Sequence, residues 1–323
     1  MSSSLILENF KKLIPPLNQN LRKGQAGRVA VFGGSIEYTG APYFAGSSAL
    51  RAGVDIAHII CEESAATAIK GYSPDLIVHP YLKAGNNVTD KEFDEVKAKS
   101  VGILDRVHSI VIGPGLSRDE AILKSITGII HAAKERSLPI VIDGDGLFLI
   151  QNSPDIILGY KKAVLTPNFV EFQRLCKTMN IDPDKVPLNQ LALKLSQEFQ
   201  GVAIVQKGSV DYITDGSQVY ECNEQSGLKR CGGQGDILAG LTGAFLSWGS
   251  QYHQNTWKHD NSIASDTFGL LAGYAACYLT RKCSKMAYDE HKRATMTENI
   301  IKQVGPAFNL NLDAEKNLLY SNI

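Results

Sequence analysis

The chain has 323 residues, of which 44% are hydrophobic and 20% charged, an ordinary balance for a globular protein with a sizeable core. Its 33 basic and 33 acidic residues cancel, which removes the electrostatic case for nucleic acid or an anionic membrane as partner. No apolar run approaches the ~18 residues of a membrane-spanning helix.

The N-terminus, Met-Ser-Ser-Ser-Leu-Ile-Leu-Glu, has no basic n-region, no long apolar segment and no Arg-rich pattern, so neither a signal nor a transit peptide is expected. Six cysteines without a C-x-x-C pair read as free thiols, and a soluble cytoplasmic protein is the expectation.

In chain order, Leu5 to Ile14 reads as a short amphipathic helix stopped by Pro15-Pro16. Arg28 to Gly33 is a buried strand running into Gly33-Gly34-Ser35, and Tyr43 to Ala52 is a helix of small residues. Val54 to Cys61 and Leu76 to His79 are further strands, followed by a helix near Asp90 to Lys99. The strand Ser109 to Gly113 ends in Gly113-Pro114-Gly115, and Ser117 is the expected N-cap of a helix reaching Lys134. Pro139 to Asp143 is a strand closed by Asp143-Gly144-Asp145-Gly146, where the two carboxylates suit substrate contact or turn duty equally.

Ala163 to Thr166 is cut by Pro167, and Asn168 starts a helix from Phe169 to Thr178. A helix at Leu188 to Phe199 and a strand at Val202 to Gln206 follow. Next comes a hairpin of Val210 to Thr214 and Gln218 to Cys222, turning at Asp215-Gly216. An Ala/Gly-rich helix is expected around Ser262 to Thr280, and Ser250 to Asp260 reads as a surface insertion whose histidines, His253 and His259, are solvated. This alternation predicts an α/β fold over 1–323 as one domain, with a mostly parallel sheet covered on both faces. Glycines and polar residues cluster after several strands, where open α/β sheets bind ligands.

The densest signal is Arg230-Cys231-Gly232-Gly233-Gln234-Gly235-Asp236, followed by an apolar run at helical spacing from Ile237 to Trp248. Glycines let backbone approach a ligand, and a helix start offers free N–H groups and the positive end of a dipole, which suits an anion. Asp236 then reads in two ways, as an ordinary acidic first-turn residue or as a proton acceptor beside a phosphate. Asn168 and Glu171 likewise fit a capping box or a site. Cys231 has no histidine neighbour and reads as a small turn residue.

Three motifs occur together: T-P-N-x-x-E-F-x-R-L from Thr166, K-G-x-x-D from Lys207, and R-C-G-G-Q-G-D-I-L-A-G from Arg230. In combination they resemble the NAD(P)H-hydrate dehydratases of the ribokinase-like superfamily, over nearly the whole chain from about Leu5. The resemblance implies repair of the S-epimer of NADH or NADPH that has taken up water. The nucleotide's terminal phosphoryl group activates the ring hydroxyl, and phosphate loss restores the reduced ring. It implies Asp236 as the base, and Gly115, Asn168, Phe169, Val170, Glu171, Phe172, Gln173 and Arg174 as substrate contacts. Lys207, Gly208, Ser209, Val210 and Asp211 match one ATP segment. Ser226, Gly227, Leu228, Lys229, Arg230, Cys231, Gly232, Gly233, Gln234 and Gly235 match the other.

Mg²⁺ is implied, with Glu171 acting on it through water. The chain begins almost directly at the matching region, so it resembles a eukaryotic stand-alone form that uses ATP, linked in function to an epimerase on a separate chain. Self-association is left open. The alternatives are a kinase of the same fold acting on hydroxyethylthiazole or hydroxymethylpyrimidine, and a nucleotide-binding regulator without turnover. The intact Asp236 argues against the regulator.

Overall fold

The computed structural model describes residues 2–313. From the N-terminus run α1 (Ser3–Lys11), β1 (Arg28–Phe32), α2 (Gly40–Ala52), β2 (Ile56–Glu62), α3 (Glu63–Tyr72) and β3 (Ile77–Leu82). Next come α4 (Asp90–Leu104), β4 (Ser109–Ile112), α5 (Glu120–Glu135), β5 (Ile140–Ile142), α6 (Asp145–Asn152), β6 (Ala163–Leu165), α7 (Phe169–Thr178) and α8 (Leu188–Glu198). The chain continues through β7 (Ala203–Gln206), β8 (Asp211–Thr214), β9 (Val219–Cys222), α9 (Gln234–His253), α10 (Phe268–His291), α11 (Thr297–Lys302) and α12 (Val304–Asn311).

The strands form one sheet in the order β3-β2-β1-β4-β5-β6-β7-β8-β9. Pairing is parallel from β3 through β7, and β8 and β9 add an antiparallel hairpin. Successive β1 side chains enter opposite cores: Val29 and Val31 pack with residues of α2, α9 and α10, whereas Ala30 and Phe32 pack with residues of α5, α6 and α7. Both faces are therefore dry, which is why the strands read as continuous apolar runs.

Loops at the C-terminal edge of the sheet interlock. A Cβ on Gly33 would stand 2.1 Å from Pro114 O, and one on Gly113 only 1.7 Å from Asp143 O. The Gly34 amide donates to the carbonyls of Pro114 and Gly115. These glycines let the turns after β1, β4 and β5 touch backbone to backbone, which fixes where Asp143 emerges.

Helices α3 and α6 go unanticipated in the sequence reading, as do the short α11 and α12. In α3 the buried stripe is only Ala65, Ala66 and Ile69, too weakly apolar to stand out. The start of α6 hides in the Asp143–Gly146 turn, because Gly144 turns with φ +51° and the helix begins at Asp145. The α5 cap is Asp119, not Ser117: its carboxylate accepts from the amides of Ala121 and Ile122. A full negative charge suits a helix start better than a hydroxyl, and Ser117, at φ +76°, donates its amide to Asp145 instead. The 250–260 stretch is also no loose insertion. Helix α9 runs through to His253, Tyr252 and Trp257 are buried, and the His259 ring stacks 3.6 Å from that of Tyr252.

Candidate active site

The site is built on the first turn of α9. Gly233 precedes it with φ +100°, and a Cβ there would meet Thr297 Cγ2 at 2.8 Å and Phe44 Cδ2 at 2.9 Å, so only glycine turns the chain into the helix. The amides of Gly235 and Asp236 fall in the first turn, where a helix supplies no acceptor. From Ile237 to Gly249 the helix is buried throughout. It lies so close to α2 that a Cβ on Gly240 would stand 2.0 Å from Ala45 O, and the Ser48 hydroxyl donates to Ile237 O across the crossing. The start of α9 is thus held by its packing.

Beneath that turn the ends of three strands deliver charge. Asp143 follows β5, Thr166 follows β6 and Lys207 follows β7. Lys207 Nζ donates to Asp143 Oδ1 at 2.8 Å, and the Thr166 hydroxyl donates to the same oxygen at 2.8 Å. A Cβ on Gly235 would lie 3.3 Å from Lys207 Nζ and 3.6 Å from Asp143 Oδ2, so the glycine lets the helix start settle onto the pair.

Three carboxylates share this one ammonium. Burial, then Asp143 and Glu171, push the Asp236 carboxyl up to about 7, against the opposing pull of Lys207. Glu171 is also raised, by burial first and then by Asp143. Burial disfavours the Lys207 cation, but Asp143 and Glu171 outweigh it and hold its pKa above the ordinary lysine value. The site therefore carries an excess of negative charge that a phosphate-bound cation would offset.

Asn168 and Glu171 form a complete capping box at the start of α7. Asn168 Oδ1 accepts from the amides of Val170 and Glu171 at 3.0 Å, and Glu171 Oε2 accepts from the Asn168 amide at 2.8 Å. The capped carboxylate is also among the charges acting on Lys207 and Asp236. Among the described residues no three His, Cys, Asp or Glu side chains converge on a metal cage.

A cavity of about 460 Å³ opens beside the turn. Of the residues singled out from sequence, it brings together Asn168, Lys207, Gly208, Ser209, Asp211, Ser226, Arg230, Gln234 and Gly235. Others lie outside its lining. Leu228 is 79% exposed, Lys229 donates to Arg293 O, and Gly227 fits under α10, where a Cβ would stand 2.5 Å from Ser284 O. Cys231 Sγ bonds Thr295 O and the Gly232 carbonyl accepts from the Thr297 hydroxyl, so both pin the loop to α11 and the turn before it. Gly115, at φ +61°, packs against Tyr38 O.

Along α7, Phe172 is buried in the core, while Phe169, Val170, Gln173 and Arg174 are exposed. Sequence reasoning missed the α10 wall of the cavity, formed by Cys277, Thr280, Arg281 and Ser284. Its only signal was an arginine on a helix face otherwise made of small residues.

A family model described as NAD(P)H-hydrate dehydratase matches residues 29–305. The chain is 47% identical over 306 residues to the ATP-dependent (S)-NAD(P)H-hydrate dehydratase of Ciona intestinalis, covering 94% of this chain and 80% of that one. It is 44% identical over 316 residues to the enzyme of the same name from Schizosaccharomyces pombe, covering 96% and 94%, and 43% identical over 303 residues to the human one, covering 94% and 83%. Among solved structures, a ribokinase-like superfamily protein from Enterococcus faecalis superposes with a TM-score of 0.74 at 18% identity, covering 97% of this chain and 96% of that one. The ADP/ATP-dependent NAD(P)H-hydrate dehydratase of Bacillus subtilis, co-crystallised with ATP and Mg²⁺, superposes with a TM-score of 0.66 at 20% identity, covering 94% and 96%. These two likenesses establish the fold.

Proposed function

We propose, for a chain that belongs to the NAD(P)H-hydrate dehydratase family, that ATP and the hydrated dinucleotide react where α9 begins. The activity is ATP-dependent dehydration of (S)-NAD(P)H hydrate, a hydro-lyase reaction. The observation that carries the residue assignment is Asp236, a carboxylate whose pKa of about 7 suits a base at neutral pH, set among first-turn amides that suit phosphate.

ATP occupies the 460 Å³ cavity with its phosphates toward Gly235 and Lys207. Asp236 takes the proton of the ring hydroxyl as that oxygen attacks the terminal phosphorus, and the bond to ADP breaks. The amides of Gly235 and Asp236, with Lys207, meet the charge on the transferred phosphoryl oxygens. The phosphorylated ring then expels phosphate as the neighbouring carbon gives up a proton, and the reduced nicotinamide returns. Mg²⁺, when it arrives with ATP, would be held by Glu171 through water and would supply neutralisation of phosphate charge. Asn168 and Glu171, at the start of α7, and Gly115 are assigned to the hydrated dinucleotide, with Asn168 also lining the ATP cavity.

The kinase alternative gives way to the dehydratase because the full-length relatives at over 40% identity carry the dehydratase name. A hydroxyethylthiazole kinase from Pyrococcus horikoshii, at 18% identity and a TM-score of 0.60, shares only the fold. The reading of 1–323 as one domain is supported by a single sheet that carries every site element, although residues beyond 313 lie outside the described part. All six thiols are free, in keeping with a cytoplasmic setting, and no described helix is long and apolar enough to cross a membrane. Cooperation with an epimerase on a separate chain belongs to the same proposal.

The test supplies (S)-hydrated NADH, Mg²⁺ and either ATP or ADP, and follows the near-ultraviolet absorbance of the reduced ring together with phosphate release. Recovery of absorbance with one phosphate per ring, faster with ATP, is expected. A stable phosphorylated product without recovery would return the kinase reading.

A further inference from the structure

Arg281, on α10, ties the first nucleotide segment to Glu224, two residues before the second segment begins at Ser226. Its Nε donates to Asp211 Oδ2 at 2.7 Å, Nη2 to Gly208 O at 2.9 Å, and Nη1 to Glu224 O at 3.1 Å. Asp211 spends its other oxygen on the Gly208 amide, also at 2.9 Å. One guanidinium therefore clasps the turn between β7 and β8, the first residue of β8, and the stretch that leaves β9 toward the glycine loop. The pair is nearly closed off from water, with the Arg281 and Asp211 side chains 11% and 9% exposed. Next to it, Lys282 ties the Glu224 carboxylate at 2.9 Å. The helix that carries the clasp is itself fixed, since a Cβ on Gly273 would stand 2.8 Å from Val205 Cγ2 of the sheet.

Resting on the reading of the cavity as the ATP site, we propose that Arg281 is a positioning residue that sets the spacing of the two nucleotide segments and so governs affinity for ATP, without entering the phosphoryl step. Gly208, Ser209 and Ser226 line the cavity together with Arg281 itself. A planar fork with several donors in fixed directions can hold three acceptors at once, whereas a lysine ammonium on a flexible stem cannot reproduce that geometry. The charged groups that act on Asp236 are Asp143, Lys207 and Glu171. The clasp shapes the container, and the α9 turn does the chemistry.

The experiment measures Mg-ATP binding by calorimetry and steady-state kinetics for the wild type and for Arg281→Lys. The expected result is ATP affinity lowered by about tenfold, the scale of one charge-assisted hydrogen bond. KM for ATP should rise in parallel, with kcat within about threefold and KM for hydrated NADH unmoved. If Arg281→Lys does not fold, the pair Arg281→Gln with Asp211→Asn removes both charges together, leaves none buried alone, and should show the same loss of affinity. A variant that melts earlier but binds ATP as the wild type does would overturn the proposal, because a merely structural residue behaves so. Failure of the wild type to bind ATP would instead sink the assignment of the cavity, and the clasp's role with it.

Discussion

Lys207 Nζ lies 2.8 Å from Asp143 Oδ1, and both groups sit against Gly235 in the first turn of α9. The cation that would meet phosphate is thus already held by a carboxylate before a nucleotide arrives. It is placed rather than free, and ordering a long side chain beforehand lowers the entropy lost on binding. Burial and the surplus of carboxylates raise the proton affinity of Asp236 toward neutrality. A turn suited to phosphate and a carboxyl tuned toward neutrality come from one local arrangement.

Replacing Asp236 by Asn keeps the shape of the turn and removes the proton acceptor. The expected loss is about 10²–10⁴ in kcat, the usual yield of general-base catalysis, with ATP binding retained. Calorimetry and turnover on the same sample check the pair. Activity within about twofold of wild type would remove Asp236 from the chemistry.

The pH profile follows from the same carboxyl. With a folded pKa of about 7, Asp236 is protonated and idle at lower pH, so kcat/KM should rise as pH passes through neutrality and then level off. Lys207 opposes that raised value, so Lys207→Met should move the acidic limb to higher pH as well as weaken turnover.

Stability runs the other way. Folding raises this pKa from 3.8 to about 7, so between those values the native state holds a proton that the unfolded state has lost. Native stability from this group is full below the lower value and declines as pH rises through the upper one. Asp236→Asn should therefore melt higher than the wild type at pH ~8, by an amount on the order of 1–2 kcal/mol, and lose that advantage near pH ~4. Thermal melts of the ligand-free protein at the two pH values decide it.

Glu171→Gln separates the two duties of the α7 capping box. Glutamine at this position still accepts from the Asn168 amide, so stability should stay within about 0.5 kcal/mol. Turnover should fall and require more Mg²⁺ if the charge serves the phosphates. Unchanged turnover and Mg²⁺ dependence would leave Glu171 as a cap alone.

Gly240→Ala tests the seating of α9. A methyl there would meet Ala45 O at 2.0 Å, and the obstacle is backbone, which cannot swing aside. The helix must shift off α2, at a cost of about 1–3 kcal/mol. Both melting temperature and kcat should drop, because Asp236 rides on the same helix.

Most strands were legible because parallel β-strands buried on both faces read as apolar runs, and the helix from Phe169 to Thr178 was legible from its cap. The helices at Glu63–Tyr72 and Asp145–Asn152 were not, since one has a thin alanine stripe and the other begins inside a glycine turn. The glycine loop and Lys207 announced themselves through local spacing. Arg281 did not, because its partners Asp211, Gly208 and Glu224 lie 57 to 73 residues away and only the sheet brings them together. The Lys207–Asp143 pair spans 64 residues and was hidden for the same reason.

The most direct test of Asp236 as the base is a single-turnover assay in which wild type and Asp236→Asn, each saturated with Mg-ATP, meet (S)-hydrated NADH. The account predicts fast return of the reduced-ring absorbance with matching phosphate release for the wild type, and neither signal on that timescale for the variant despite bound ATP. Equal rates in the two proteins would contradict it.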